Sequence, residues 1–383
     1  MMQSVCASRS FVVRASSILV AAVLAGASLV AHASPPGPEF GWNFEVLDQG
    51  ISTGAYPSTV YYPLFDQHHV FNQGNDAYTP VLRHGWFQPG FAAWSFETLD
   101  GGNSTGRDTA TMVWFSQHHV FNQGRDSDQT ILRHGWFEPR IGVWQFETLD
   151  AEMSTGLGTA ALTYRGQQHV FTEGKGFVLR HGWYDPAIGY WQFETLDEGE
   201  SSGRFTSAAE SEGNLNVFTE RKWGCGSSSI SDGLRHGWYD GSWHFETFTG
   251  RPSCVWDRTT AIVSTDGNLN LFSTGIHWWY EQRWHGESLD LGDELSAVNH
   301  RGQLIVLGVQ MWQWPVGLPS RSQFDGVWES RLIAGNSLYP VPDGFRTNSS
   351  IYPPFDQLHM FYRYSSSCRR NSCEHTLAHS WRD

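Results

Sequence analysis

The stretch "ILRHGWFEPRIGVWQFETLD", residues 131–150, recurs along the chain and decides its fold. Its first half returns as "LRHGWF" at 82–87, as "LRHGWY" at 179–184 and again as "LRHGWY" at 234–239. Its second half follows each of these, as "WSFETLD", "WQFETLD" or "WHFETFT". A fixed period indicates a repeat architecture, in which each copy is one supersecondary unit that packs on its neighbours.

The repeat continues in weaker form towards the end of the chain. A marker that precedes each strong copy, "HHVF" or a variant of it, returns as "LNLF" at 269, "LIVL" at 304 and "LHMF" at 358. The last copy ends with "LAHSWRD" at 377–383, and the early segment "WNFEVLD" at 42–48 supplies the strand that this copy lacks. Joined together, the two segments complete a seventh copy, and such a split fastens the ends of a closed ring.

Each copy contains four short runs that are bounded by turn residues, which is the pattern of a four-stranded antiparallel blade. The composition agrees, because 15% of the residues are aromatic and 40 are Gly, whereas helix formers are scarce. The sequence therefore predicts an all-β fold, a seven-bladed β-propeller over residues 42–383. Its ring would be closed by pairing of the N-terminal strand with the C-terminal blade.

The hairpin in each copy predicts which side chains lie opposite one another. Asp240-Gly241 indicates a two-residue turn, which would place Trp238 opposite Trp243. The same count pairs an Arg with a Glu in four copies: Arg83 with Glu97, Arg133 with Glu147, Arg180 with Glu194, and Arg235 with Glu246. Because side chains alternate along a strand, Arg and Glu would share one face, and Trp, His and Phe the other.

These recurrent residues have two interpretations, which the sequence leaves open. The Arg–Glu pairs are either cross-strand ion pairs or the polar part of a sugar-binding crevice, where a planar guanidinium and a carboxylate meet vicinal hydroxyls. The Trp residues either fill the gaps between twisted blades or line pockets. The candidate carbohydrate-binding residues are Arg83, Glu97, Arg133, Glu147, Arg180, Glu194, Arg235, Glu246, Trp86, Trp136, Trp183 and Trp238.

The pattern of the histidines favours a structural role over metal binding or catalysis. His84, His134, His181 and His236 recur within the aromatic motif, which predicts buried, hydrogen-bonded core residues. His68 and His69 are neighbours on a strand, so they point to opposite faces and cannot chelate one ion together. We therefore expect no metal and no cofactor. The recurrent Glu also argues against catalysis, because a glycosidase site is singular and needs two carboxylates at a set separation.

The N-terminal segment predicts export. Arg9 and Arg14 precede an apolar stretch, and Ala31-His32-Ala33 offers small residues for cleavage. Residues 1–33 are thus expected to be a signal peptide cleaved near Ala33, followed by a linker over 34–41 and a secreted protein, extracellular or periplasmic. The apolar stretch is too short to span a bilayer. A formal net charge of -14 argues against nucleic-acid partners.

Four cysteines remain after the predicted cleavage, an even number that indicates disulfides in an exported chain. Neither pair has the close spacing typical of zinc ligands. Cys225 and Cys254 fall in loops that emerge on the same side of the predicted ring, so they can meet. Cys368 and Cys373 lie in one loop of the last copy, where a local bridge is expected.

The segment "LRHGWYDGSWHFETFTG", 234–250, resembles the repeat of the Photorhabdus-type seven-bladed propeller lectins of bacteria. It is more distantly similar to the fungal fucose-specific propeller lectins. The resemblance is strong over 42–249 and weak over 250–383. It implies multivalent, non-catalytic binding of fucose-type or related monosaccharides in crevices between blades, with glycans as partners. In the fungal lectins the pocket uses an Arg, a Glu and aromatics, which the four Arg–Glu pairs would match.

Two further functions stay open at this point. The first is a protein-interaction scaffold that binds partners through the irregular loops of blades four to seven. The second is a glycoside hydrolase or lyase.

Overall fold

The computed structural model describes residues 42–221, 233–248, 260–263, 267–273, 276–289, 295–313, 316–324, 328–332, 347–353, 356–369 and 372–382. The elements in this part of the chain are β-strands and short 3-10 turns such as Asp100–Gly102. None of its helices is long and apolar enough to cross a membrane. The predicted signal peptide and linker, Cys225 and Cys254 lie outside the described residues.

The described strands form four-stranded antiparallel sheets, each of which takes consecutive strands of the chain. Sheet 1 contains β2 (Ser52–Tyr62), β3 (Gln67–Asp76), β4 (Thr79–Gln88) and β5 (Ala93–Leu99). Sheet 2 contains β6 (Ser104–Trp114), β7 (Gln117–Asp126), β8 (Gln129–Glu138) and β9 (Val143–Leu149). Sheet 3 contains β10 (Ala160–Tyr164), β11 (Gln167–Gly174), β12 (Val178–Asp185) and β13 (Tyr190–Leu196). Sheet 4 contains β14 (Ser207–Ser211), β15 (Asn214–Glu220), β16 (Leu234–Tyr239) and β17 (Trp243–Phe248).

The remaining strands complete three further sheets within the described residues. Sheet 5 contains β18 (Thr260–Val263), β19 (Leu269–Ser273), β20 (Ile276–Tyr280) and β21 (Trp284–Ser288). Sheet 6 contains β22 (Ser296–His300), β23 (Gln303–Gln313), β24 (Val316–Phe324) and β25 (Trp328–Leu332). Sheet 7 contains β26 (Thr347–Tyr352), β27 (Gln357–Arg369), β28 (Ser372–Arg382) and, as its outer strand, β1 (Asn43–Leu47).

The pairing of the two ends of the chain is present as the sequence predicts. Strand β1 runs antiparallel to β28, with Asn43 opposite Trp381 and Leu47 opposite Leu377. The Thr376 hydroxyl adds a hydrogen bond to the Leu47 carbonyl at 3.0 Å. Sheet 7 therefore takes its outer strand from the start of the chain and its other three strands from the end.

The hydrophobic core lies between the sheets. Each of the apolar clusters in the described part of the chain joins two sheets, and all but one join consecutive sheets, as when Phe71 of sheet 1 packs with Val120 of sheet 2. One cluster joins sheet 7 to sheet 1 through Phe361 and Val70. The first strands of consecutive sheets also contact one another from β2 to β26, and β26 contacts β2.

The predicted opposition of Arg and Glu within the hairpins is wrong by one residue. Arg235 lies opposite Thr247, and Glu246 lies opposite His236. The cause is the turn, since Tyr239 pairs with Trp243 and leaves three residues in the loop instead of two. The same shift separates the other predicted pairs: Arg83 lies opposite Thr98, Arg133 opposite Thr148, and Arg180 opposite Thr195.

The shifted register sends these arginines to an aspartate that the sequence analysis did not single out. Arg133 donates from Nε and Nη2 to the two carboxylate oxygens of Asp100 at 2.9 and 2.8 Å, and from Nη1 to the Thr148 hydroxyl at 2.8 Å. Asp100 also accepts a hydrogen bond from Ser104 at 2.8 Å. We call this arrangement the Asp–Arg clamp, and it recurs as Asp48–Arg83, Asp150–Arg180 and Asp197–Arg235.

The clamp fixes the turn that leads from one sheet to the next. Asp100 follows the outer strand of sheet 1 and precedes the first strand of sheet 2, whereas Arg133 lies on the third strand of sheet 2. Asp100 has a φ of 58°, in the left-handed region that Asp tolerates better than most residues. Its side chain and that of Arg133 are about 90% buried, at 8% and 11% exposure. The clamp is therefore a buried, bidentate ion pair.

Replacing Arg133 by Ala is expected to lower the free energy of unfolding by about 3–5 kcal/mol, because Asp100 would stay buried without its partner. Chemical denaturation measures this loss. Asp100→Asn keeps a residue that tolerates the left-handed backbone, so a double-mutant cycle of the two changes isolates the charge pair, with a coupling of about 0.5–3 kcal/mol. An Arg133→Ala protein as stable as the parent would contradict the clamp and return Arg133 to the candidate ligand contacts.

Candidate functional site

A chain of hydrogen bonds crosses three strands in sheets 1, 2, 3 and 7. In sheet 1, His84 Nδ1 lies 2.9 Å from Glu97 Oε1, and His69 Nδ1 lies 2.8 Å from His84 Nε2. Because a carboxylate only accepts, a neutral His84 donates from Nδ1 and accepts from His69 at Nε2. The same His–His–Glu chain recurs with His119, His134 and Glu147, with His169, His181 and Glu194, and with His359, His379 and Glu45. The prediction that the motif histidines are buried and hydrogen-bonded is confirmed.

Sheets 4 and 5 carry Asn in place of the first histidine. His236 contacts Glu246 at 2.9 Å through Nδ1 and the side-chain amide of Asn216 at 3.0 Å through Nε2. In sheet 5, His277 makes the corresponding contacts with Glu287 and Asn270. The second-strand residue therefore varies while the third-strand His and the outer-strand Glu stay together.

Burial controls the charge of these groups. Burial lowers the pKa of His84, His134, His181 and His236, against the opposing effect of the neighbouring carboxylate. It lowers the pKa of His169 to about 3. The hydrogen bond from His236 lowers the pKa of Glu246, and that from His181 does the same for Glu194. The chain in sheet 3 is thus a neutral imidazole system that ends in an ionised carboxylate, Glu194.

The glutamate at the end of each chain lies at a crevice between two sheets. Trp243 of sheet 4 donates from Nε1 to Glu194 of sheet 3 at 3.1 Å, and Trp284 of sheet 5 donates to Glu246 of sheet 4 at 2.8 Å. Trp94 of sheet 1 makes the same contact with Glu45 at 3.0 Å. The outer-strand Trp of one sheet therefore covers the His–Glu pair of the sheet before it.

In three crevices a large aromatic residue at the end of the first strand packs against the next sheet. Tyr62, Trp114 and Tyr164 occupy this position in sheets 1, 2 and 3, and each reaches the turn of the next sheet. Tyr62 Oη donates to the Ser116 carbonyl, Trp114 Nε1 to the Gly166 carbonyl, and Tyr164 Oη to the Gly213 carbonyl. The Tyr62 and Tyr164 side chains are buried. We call these three residues the plug residues.

Sheet 4 has Ser211 at this position, and a cavity of about 480 Å³ lies between sheets 4 and 5. Its walls combine carboxylates, amides, a guanidinium and aromatic rings: Ser211, Glu212, Asn214, Asn216, His236, Trp238, Glu246, Leu269, Tyr280, Gln282, Arg283 and Trp284. These residues come from the first two strands and the β16–β17 hairpin of sheet 4, and from the second strand and the β20–β21 hairpin of sheet 5. This mixture of convergent polar groups and aromatic surface is typical of a small-molecule site.

Two groups in the cavity are well positioned for a polar ligand. Both hydrogen bonds of Glu246 use Oε1, so Oε2 has no protein partner within the described residues. Trp238 is held between two imidazoles, those of His236 and His244, whose ring centroids each lie 5.2 Å from the indole. The site therefore has a free carboxylate oxygen beside a rigid aromatic side chain.

The structure brings together only part of the predicted site. Trp238 and Glu246 line the cavity, whereas Arg235 belongs to an Asp–Arg clamp. Arg283, from the hairpin of the next sheet, supplies the guanidinium that the sequence analysis assigned to Arg235. Glu97, Glu147 and Glu194, with Trp86, Trp136 and Trp183, occupy the corresponding positions in the plugged crevices.

The sequence does carry a signal for the open position at Ser211. In copies one to three an aromatic residue precedes the turn before the "HHVF" marker, whereas copy four has "SEGN" at 211–214. In the part of the chain that the structure describes, no group of His, Cys, Asp or Glu could hold a metal ion.

No family model matches the chain, and no curated protein matches it. Among solved structures, a mutant of the Aleuria aurantia lectin in complex with Fucα1-6GlcNAc is similar at 15% sequence identity, with a TM-score of 0.44. The similarity covers 68% of this chain and 88% of that one. Similarity at this level assigns neither a family nor a ligand.

Stability is expected to fall steeply with acid. The unfolded histidines titrate near pH 6.5, whereas the buried ones have lowered pKa values and stay neutral. Stability is therefore retained above pH 6.5 and lost below it, by up to about 1.4 kcal/mol per pH unit for each such histidine. Urea denaturation between about pH 6.5 and pH 5 measures this slope.

His169→Asn provides a matched control for the acid sensitivity, because Asn216 occupies the same position in sheet 4. The variant should fold, and its stability should depend less steeply on pH, by the contribution of one histidine. An unchanged slope in His169→Asn, or a parent protein whose stability does not depend on pH in this range, would contradict the neutral buried network.

Proposed function

We propose that the protein is an exported, non-catalytic carbohydrate-binding protein that binds a monosaccharide unit of the fucose type, or a related one, in the cavity between sheets 4 and 5. The cavity itself carries this proposal. Sugars need hydrogen-bond acceptors and donors for their hydroxyls beside an apolar surface. Glu246, Arg283 and Asn214 supply the polar groups in this cavity, and Tyr280 and Trp284 supply the aromatic surface.

We further propose that the sheets are the blades of a closed, seven-bladed β-propeller. The pairing of β1 with β28 supports closure, as do the apolar cluster that joins sheets 7 and 1 and the contact of β26 with β2. In such a ring each crevice lies between two neighbouring blades, and the proposed site is one of these crevices.

The multivalent binding expected from the repeats depends on how many crevices admit a sugar. Plug residues fill those that follow sheets 1, 2 and 3. We therefore place the principal site after sheet 4. The scaffold alternative rests on loops of sheets 4 to 7, of which residues 222–232 lie outside the described part of the chain.

A glycoside hydrolase is the second candidate, because Glu212 and Glu246 line one cavity. Two carboxylates flanking the scissile bond are what such an enzyme needs. A general acid needs a raised pKa, however, whereas the bond from His236 lowers the pKa of Glu246. Release of reducing ends from polysaccharides would favour the enzyme over the binding protein.

Glu246→Gln and Arg283→Ala are each expected to weaken sugar binding by about tenfold to a hundredfold, the loss of one hydrogen bond to a charged group. A glycan array on the purified protein finds the ligand, and calorimetry with the best-bound oligosaccharide measures the affinities. Glu147→Gln is the control, because Glu147 makes the same bond to His134 in a plugged crevice. Silence across the array, or equal effects of Glu147→Gln and Glu246→Gln, would contradict the proposal.

Export predicts an oxidised pair at the end of the chain. Cys368 and Cys373 are directly opposite each other in the β27–β28 hairpin. Opposed residues of an antiparallel pair have Cα atoms about 4.5–5.5 Å apart, which suits a disulfide. Mass spectrometry of the unreduced protein secreted by its host should find a Cys368–Cys373 peptide two hydrogens lighter than its reduced form. Free thiols at both positions would count against export to an oxidising compartment.

A further inference from the structure

We infer that the residue at the end of the first strand decides whether a crevice is open, so that Ser211 creates the cavity and Tyr164 closes a latent one between sheets 3 and 4. The binding consequences rest on the proposed function, whereas the opening and closing of the cavity do not. Tyr62, Trp114, Tyr164 and Ser211 all pair with the first residue of the second strand: Gln67, Gln117, Gln167 and Asn214 respectively.

Ser211 keeps the hydrogen bond of the plug residues and loses their volume. Its hydroxyl reaches the Gly267 carbonyl of sheet 5 at 3.4 Å, just as Tyr164 Oη reaches the Gly213 carbonyl of sheet 4 at 2.8 Å. The polar link between neighbouring sheets is therefore retained at Ser211, while no ring fills the space beside it.

In the crevices after sheets 1, 2 and 3 the ring of the plug residue is packed against the next sheet. The Tyr62 ring centroid lies 3.7 Å from that of His118, and the Trp114 centroid lies 5.5 Å from that of Tyr184. Tyr164 is 3% exposed and belongs to the apolar cluster that contains Leu215. Each plug residue thus occupies space that remains open beside Ser211.

The side chains behind Tyr164 repeat much of the proposed site. Trp183 and Glu194 correspond in register to Trp238 and Glu246, and Tyr239 and Trp243 of sheet 4 correspond to Tyr280 and Trp284 of sheet 5. The difference lies in the hairpin, where Gly241 and Ser242 replace Gln282 and Arg283. A crevice opened here would offer a carboxylate and aromatic rings to a neutral sugar, without a guanidinium.

Ser211→Tyr, Ser211→Ala and Tyr164→Ser test the inference by crystal structure and by titration with L-fucose and with the best-bound array glycan. Tyrosine at 211 is expected to donate to the Gly267 carbonyl as Tyr164 does to Gly213, to fill the cavity and to abolish sugar binding. Alanine at 211 should leave the cavity open, because it adds no ring to the space beside it. Tyr164→Ser should open a cavity lined by Trp183, Glu194, Tyr239 and Trp243.

The outcomes separate the two proposals. A filled cavity in Ser211→Tyr with no sugar bound by the parent supports the plug and counts against carbohydrate binding. A cavity that stays open in Ser211→Tyr, or one that closes in Ser211→Ala, overturns the plug, as does a Tyr164→Ser crevice whose walls collapse together. The two Ser211 variants decide the question by themselves if Tyr164→Ser fails to fold.

Discussion

The hydrogen bond between the third-strand histidine and the outer-strand glutamate is the contact on which the rest of the structure depends. It links residues that lie directly opposite each other in the hairpin, as His236 and Glu246 do. It also places the ionised carboxylate at the crevice, where a Trp of the next sheet donates to it. Because neighbouring side chains alternate, the same register turns Arg235 to the opposite face, towards Asp197.

Different residues of each repeat thus have structural roles and proposed binding roles. The Asp–Arg clamp holds the turn between sheets, and the His–Glu pair with its covering Trp holds the sheets against each other. The plug residues then fill the remaining space in the crevices after sheets 1 to 3. The proposed binding site lies where Ser211 replaces the aromatic plug residue, so that the polar and aromatic walls of the crevice enclose a cavity.

The sequence predicts the sheets and the pairing of the chain ends because both follow from the repeat and from period-two patterning. It does not predict the partner of each Arg, because an Asp-Gly pair does not show whether a hairpin loop has two or three residues. One additional loop residue, Ser242, shifts the register by one, so that Glu246 lies opposite His236 and Thr247 lies opposite Arg235. The sequence does not predict the cavity either, because Arg283 and Glu246 come from different copies of the repeat and line one cavity only through the packing of sheets 4 and 5.

The most direct measurement is a crystal structure of the parent protein soaked with L-fucose, the sugar that the sequence resemblance implies. We expect density for one sugar between sheets 4 and 5, with hydroxyls bonded to Glu246 Oε2 and Arg283 and the pyranose against Tyr280 or Trp284. A sugar bound at Arg83 or Arg133, or at any site that leaves this cavity empty, would contradict it.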